Sequence, residues 1–280
     1  MQSSFLPLLQ PDHLSVRVNN ASQIHLLFAE VLALPVAWPL QSITHATFSW
    51  VSVGNTNIEF WQASSNNDLP LEGKPFIPFV HGIAVDCNGV AKTVAQLSDV
   101  GFECAPAKTF GTSDAEGVRV DACTKAQLQE ISAPMCQVFL CHWHPQGLIF
   151  PWKEKLSAAE RRRREKQALS ASGGGALGVL GLAEIQMSVP DIEHAARCWD
   201  LVYRRMAECD HCWDLGDNIV LSMHAGPSQR MHSLLFRVHS LEKAKDVLKK
   251  RGLLGKHTVD ELRLLPEAVE GLDFRFIEKF

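Results

Sequence analysis

The chain lacks any apolar run near the roughly 20 residues that crossing a bilayer requires. Its first residues, "MQSSFLPLLQPDH", lack a basic start and a cleavable apolar stretch, which argues against a signal peptide. It also lacks a strong charge of either sign. A net charge of -4 gives no electrostatic case for nucleic acid or an anionic membrane. Cys209-Asp-His-Cys212 has no second ligand pair elsewhere, so a structural zinc site is not expected there. The 8 cysteines are scattered, mostly in apolar segments, and read as reduced, buried thiols of a cytoplasmic protein.

What is present is an ordinary globular composition, 46% apolar and 21% charged over 280 residues, enough for about two domains. The sharpest compositional break is "WKEKLSAAERRRREKQALSASGGG", residues 152 to 175. It is charged and helix-prone at first, then rich in Ser and Gly. Glutamates flank arginines 161 to 164, so the segment reads as a solvated linker helix rather than a nucleic-acid patch. The expected division is a domain at 1–152, a linker at 153–176 and a second domain at 177–280.

Each half repeats one order of elements. "DHLSVRV" alternates as a strand, and "ASQIHLLFAEVLA" carries apolar positions 24, 27, 28 and 31 at helical spacing. "ATFSWVSVG" and "TNIEFWQAS" follow as two strands. The order restarts at "FVHGIAVDC", again at "LAEIQMSV" and again at "HSLLFRV", with periods of about 50 to 70 residues. The fold class is α+β.

Two buried-looking strands open with an ionisable residue, His13 in the first and His81 in the second. In "TNIEFWQ", alternation places Glu59 on the face opposite Ile58 and Phe60. A lone inward carboxylate is costly, but not beside a cation.

The strings "DHLSVRV", "NIEFW", "VHGIAV" with "VAQLSDVGF", and "VFLCHWHP" resemble the vicinal oxygen chelate superfamily, which includes glyoxalase I, extradiol dioxygenases and bleomycin resistance proteins. The resemblance covers nearly the whole chain apart from the linker. It implies four βαβββ modules paired into two glyoxalase-like half-open barrels. It also implies one divalent metal held by the first residue of strand one and a residue of strand four from each of two modules. Carried over, the ligands are His13, Glu59, His81 and His142. The fourth departs from the pattern, where a carboxylate is usual. Aligning "IEFW" with "CHWH" selects it.

Two imidazoles and a carboxylate suit Zn(II), Ni(II), Mn(II), Co(II) or Fe(II) and leave positions open for substrate. Glu59 can also move a proton once substrate displaces it, which makes it the expected catalytic residue. The expected activity is a metal-dependent lyase or isomerase acting on a small carbonyl or vicinal-oxygen substrate. An extradiol ring-cleaving dioxygenase and a metal-free sequestering protein are the alternatives. The single Tyr203, assigned to a helix of the second half, weakens the extradiol version, which wants a distal base.

In the second half the matching positions are Glu184, Val220, His232 and Glu278. Val220 cannot bind metal, so that half reads as a domain that kept the fold and lost the chemistry. Trp38, Phe48, Trp50, Phe60, Trp61, Phe139 and Trp143 supply aromatic surface for a cup. The expected partner is a small-molecule substrate, with no nucleic acid and no membrane; a homodimer is left open.

Overall fold

The computed structural model describes residues 10–65, 78–87, 89–113, 117–144 and 156–278. Four times a strand, a helix and three further strands follow one another. The first set is β1 (Pro11–Arg17), α1 (Ala21–His25, continued by a wider turn over Leu26–Val31), β2 (Val36–Ile43), β3 (Ala46–Ser52) and β4 (Asn57–Ala63). The second is β5 (Phe79–Asp86), α2 (Val90–Asp99), β6 (Lys108–Ser113), β7 (Arg119–Gln127) and β8 (Gln137–Trp143). Helix α3 (Ala158–Ala171) comes next. The third set is β9 (Val179–Val189), α4 (Ile192–Val202), β10 (Arg204–Arg205), β11 (Cys212–Asp214) and β12 (Val220–Ala225). The fourth is β13 (Arg230–Val238), α5 (Leu241–Lys250), β14 (Leu254–His257), β15 (Leu262–Leu264) and β16 (Asp273–Glu278).

In every set the first strand pairs in parallel with the fourth. First strands of neighbouring sets run antiparallel, β1 with β5 and β9 with β13. One bridge, Met231 to Val80, joins β13 to β5, so the two halves share one mixed, mostly antiparallel sheet. The period-2 reading of β1 decides its faces. Leu14 and Val16 are fully buried in the core under the helices, while His13, Ser15 and Arg17 point the other way. Helices begin where the sequence offers caps: Asn20, Ser157, Asp191 and Ser240 each accept from a backbone N–H three residues on. Gly82 is needed beside His81, because a Cβ there would meet the Gln137 carbonyl oxygen of β8 at 2.7 Å.

Three expectations need correction. Cys209 and Cys212 form a disulfide, since the turn between them brings their Cα atoms to 5.4 Å; the other six cysteines are free. Tyr203 lies outside helix α4, which ends at Val202; its ring is buried and stacks on Trp199. Most consequentially, α3 is not a solvated linker. Arg161 and Glu165 are each only 4% exposed. The Arg161 guanidinium bonds the Asp12 carboxylate and Glu165 Oε1 (3.0 Å), while Glu165 Oε2 accepts from Asn57 Nδ2 (3.0 Å). Arg162 reaches Asp86 at 2.6 Å. Charges spaced i, i+4 on one helix face therefore point into the first half, and only the opposite face is wet.

Arg161→Met should lower unfolding free energy by about 3 kcal/mol or more, because it strands two buried carboxylates. Arg163→Met, at a side chain 62% exposed, should change it by less than about 0.5 kcal/mol. Urea denaturation of both variants checks the pair; equal, small effects would show that α3 is not integral to the first half.

Candidate active site

The faces of β1, β4, β5, β7 and β8 that turn from the helices enclose a cavity of about 580 Å³, within the range of small-molecule pockets. His13, Arg17, Glu59 and His81 line it, with Lys108, Phe110, Lys125, Gln137 and Phe139. Three of the four candidate ligands thus share one cavity. The structure does not bring His142 there. On β8, Phe139, Cys141 and Trp143 take the inner face, and alternation turns His142 outward, where its Nδ1 lies 3.2 Å from the Cys87 carbonyl oxygen. In β5–β8 pairing the inner-face neighbours are Gln137 and Phe139, which bear no ligand matching the family's carboxylate.

His13 is held from behind. A register shift between Pro11 and His13 in the β1–β5 ladder turns the Asp12 carboxylate toward the His13 ring. His13 Nδ1 then donates to Asp12 Oδ2 at 2.7 Å, leaving Nε2 as its other functional nitrogen. Trp143 Nε1 donates to the same oxygen at 3.0 Å, and Arg161 reaches the other oxygen. Burial pushes the Asp12 carboxyl up, but Arg161, His13 and Arg162 outweigh it and hold the group well below its usual range. The His13 ring lies 4.3 Å from Trp50, within an aromatic floor that includes Trp38, Phe139 and Trp143.

Glu59 accepts from Trp50 Nε1 at 3.2 Å. Its burial raises the carboxyl pKa, yet His13, Arg17 and Lys125 lower it more, so Glu59 is an ionised carboxylate at neutral pH. Ile58 and Phe60 on either side of it are fully buried in the opposite core.

Arg17 decides the electrostatics. Its Nε donates to His81 Nδ1 at 2.9 Å, and its guanidinium stacks 3.9 Å above the Trp61 ring centroid. A neutral imidazole has one in-plane lone pair, and in His81 that pair is engaged by Arg17. Burial first, then Arg17, pushes the His81 pKa down to about 3, against an opposing pull from Glu59. A hydrogen bond to the backbone of Pro134 also favours its protonated form. The expected metal set is therefore reduced to His13 and Glu59, with a guanidinium beside them. Among the described residues no three His, Cys, Asp or Glu side chains form a group that could hold a metal ion. The residues do not fit a divalent centre built on His13, Glu59, His81 and His142.

Arg17, Lys108 and Lys125 escaped the sequence reading, although the signal was there. Arg17 is two and four residues from Ser15 and His13 on one strand face, and Lys125 lies between Cys123 and Gln127 on another. In the second half the candidate positions do not converge. Glu184 accepts from Ser222 and Gln186, His232 packs 4.8 Å from His224, and Glu278 caps α5 through the Leu241 N–H.

No protein-family model matches the chain, and no curated protein matches it in sequence. Solved structures do match in fold. A hypothetical protein from Staphylococcus aureus superposes with a TM-score of 0.64 at 11% identity, covering 96% of this chain and 99% of that one. Homoprotocatechuate 2,3-dioxygenase from Arthrobacter globiformis gives 0.56 at 14% identity over 100% and 82%. The Brevibacterium fuscum enzyme in its complex with 3,4-dihydroxyphenylacetate gives 0.55 at 12% identity over 100% and 83%. The fold is that of these dioxygenase structures. Among the described residues no helix is long and apolar enough to cross a membrane.

Because the fold keeps His81 neutral while an unfolded chain protonates it near 6.5, the unfolded state binds the extra proton below that pH. This residue's contribution to stability is thus full above about pH 6.5 and falls as the pH drops toward 3. Imidazole NMR should show no titration of His81 between about pH 8 and 5. Arg17→Gln should raise its pKa while leaving it below 6.5, since burial is the larger cause. Titration of the wild-type ring near its ordinary value would show that neither the burial of His81 nor its bond to Arg17 holds.

Proposed function

We propose that the chain is a glyoxalase-like enzyme of the vicinal oxygen chelate type, built from paired βαβββ modules, which moves a proton on a small carbonyl or vicinal-oxygen substrate in this cavity. The observation that carries the reading is Glu59: a half-buried carboxylate, kept ionised, facing a cavity together with an Asp-oriented histidine and with Arg17 and Lys125. Glu59 takes the proton from the carbon next to a carbonyl. The C–H electron pair becomes a C=C bond and the carbonyl π pair moves onto the oxygen, giving an enolate, or an enediolate where that carbon carries a hydroxyl; the proton then returns to the neighbouring carbon or leaves with a departing group. A carboxylate of lowered pKa is a weak base, so the developing oxyanion must be strongly stabilised. Arg17 and Lys125 supply that positive charge. His13 Nε2 holds or relays the proton of a substrate hydroxyl, its ring fixed by Asp12. The fold is shared with a dioxygenase crystallised with 3,4-dihydroxyphenylacetate, a vicinal-oxygen compound, which supports the substrate class.

One observation favours a second reading. The engagement of the His81 lone pair by Arg17 suits a metal-free protein that sequesters its ligand without changing it. The two readings separate on exchange. Wild-type protein should catalyse solvent deuterium incorporation into members of a panel of α-hydroxy ketones, 2-oxo aldehydes and 2-oxo acids, followed by NMR. Glu59→Gln should lose about 10²-fold or more of that rate. Binding without exchange across the panel would favour sequestration and end the enzymatic reading.

A further inference from the structure

The cavity contains more positive charge than its own carboxylate can balance. Arg17, Lys108 and Lys125 line it, against Glu59 alone. His81 remains neutral there. Neither lysine is closed into an ion pair among the described residues; each instead sits against aromatic rings. Lys125 Nζ lies 5.0 Å from the Phe139 centroid and 5.9 Å from that of Phe110, and Lys108 Nζ lies 5.3 Å from Phe110. Arg17 is fixed on one face and one edge: a face of the guanidinium lies on Trp61 and the Nε edge donates to His81. Its two terminal nitrogens take no protein hydrogen-bond partner among the described residues. Burial depresses Arg17 to about 10, a sign that its charge has been moved out of water with only Glu59 in partial return. A desolvated guanidinium held by its Nε edge, with its terminal N–H groups free, offers a planar pair of donors to a carboxylate.

From this arrangement we propose that the ligand is a small organic carboxylate with an apolar or aromatic body. Its carboxylate sits between the Arg17 terminal nitrogens and Lys125, and its body lies against Phe139 and Phe110. Arg17 thereby fills, with a fixed side chain, the role a bound cation would otherwise have in the cup, and binding needs no metal. The proposal rests on the reading that this cavity is the functional site, and not on any turnover there. Planar bidentate geometry and aromatic walls favour a carboxylate with an apolar body over a bare inorganic anion, which would gain nothing from Phe110 or Phe139.

Calorimetric titration of the full chain with phenylacetate, its neutral isostere phenylacetamide, and inorganic phosphate tests the proposal. Phenylacetate should bind about tenfold or more tighter than either other probe, with affinity unchanged by EDTA and falling as salt rises. Lys125→Met should weaken phenylacetate about tenfold and leave phenylacetamide unaffected. Arg17→Met should weaken it at least as much, and Arg17→Lys, which keeps charge but loses the planar fork, should recover only part. If Arg17→Met does not fold, the Lys125 and Arg17→Lys variants still decide. Equal binding of acid and amide, phosphate binding as tight as phenylacetate, or loss of binding on chelation would each overturn the proposal. Glu59→Gln should retain or strengthen phenylacetate binding by removing the opposing charge. A failure of proton transfer with carboxylate binding intact would therefore count against the proposed reaction and not against this ligand class.

Discussion

A single buried carboxylate, Asp12, ties the site to the rest of the molecule. It lies at the start of β1, almost out of reach of solvent, and is ionised only because Arg161, Arg162 and the His13 ring surround it. Its partners come from three pieces of chain. Arg161 and Arg162 belong to the helix between the halves, His13 to β1 and Trp143 to the end of β8. An ion of this kind tolerates no missing partner, because the cost of leaving it unpaired exceeds what pairing contributes over an apolar core. The helix that composition marks as a spacer is therefore bound to the first half, and through Asp12 it governs how His13 faces the cavity.

The cavity turns on a similar exchange of one charge for another. A cup with His13, Glu59 and His81 on its wall has the residue types for a divalent cation, yet Arg17 rises from the same strand as His13 and engages His81 first. A guanidinium cannot give up its proton at ordinary pH, and it brings its own fixed donors. The cup thus keeps positive charge near Glu59 while losing the open coordination positions that a metal would present. This difference separates shared fold from shared chemistry: the dioxygenase structures match over the entire chain, at 12–14% identity, and identity at that level says nothing about which side chains occupy the cup.

Much of the architecture could be read from residues alone. The fourfold order of strand, helix and strands and the inward turn of Glu59 between Ile58 and Phe60 follow from period-2 alternation and repeat position, whereas the grouping of His13, Glu59 and His81 is implied only by the family resemblance. The same rule that turns Glu59 inward puts Arg17 beside His13 and turns His142 away from Phe139 and Cys141, so parity along the strand outweighs the position of His142 beside Trp143. The cysteines at 209 and 212 were too few for zinc, and only the turn between them brings the pair into bonding range.

By itself, then, the amino-acid order determined the strands and helices, the core faces and the set of chemistry-bearing residues available to the cup, because these depend on spacing within short segments. Tertiary structure alone decided which of those residues meet, and what charge each carries when they do. The depressed pKa of His81, the ionised state of Asp12 and the burial of Arg161 all arise between groups 64 to 149 residues apart in the chain. Pairing free energy at such separations depends on distance and on exclusion of water, and neither exists until the sheet has closed.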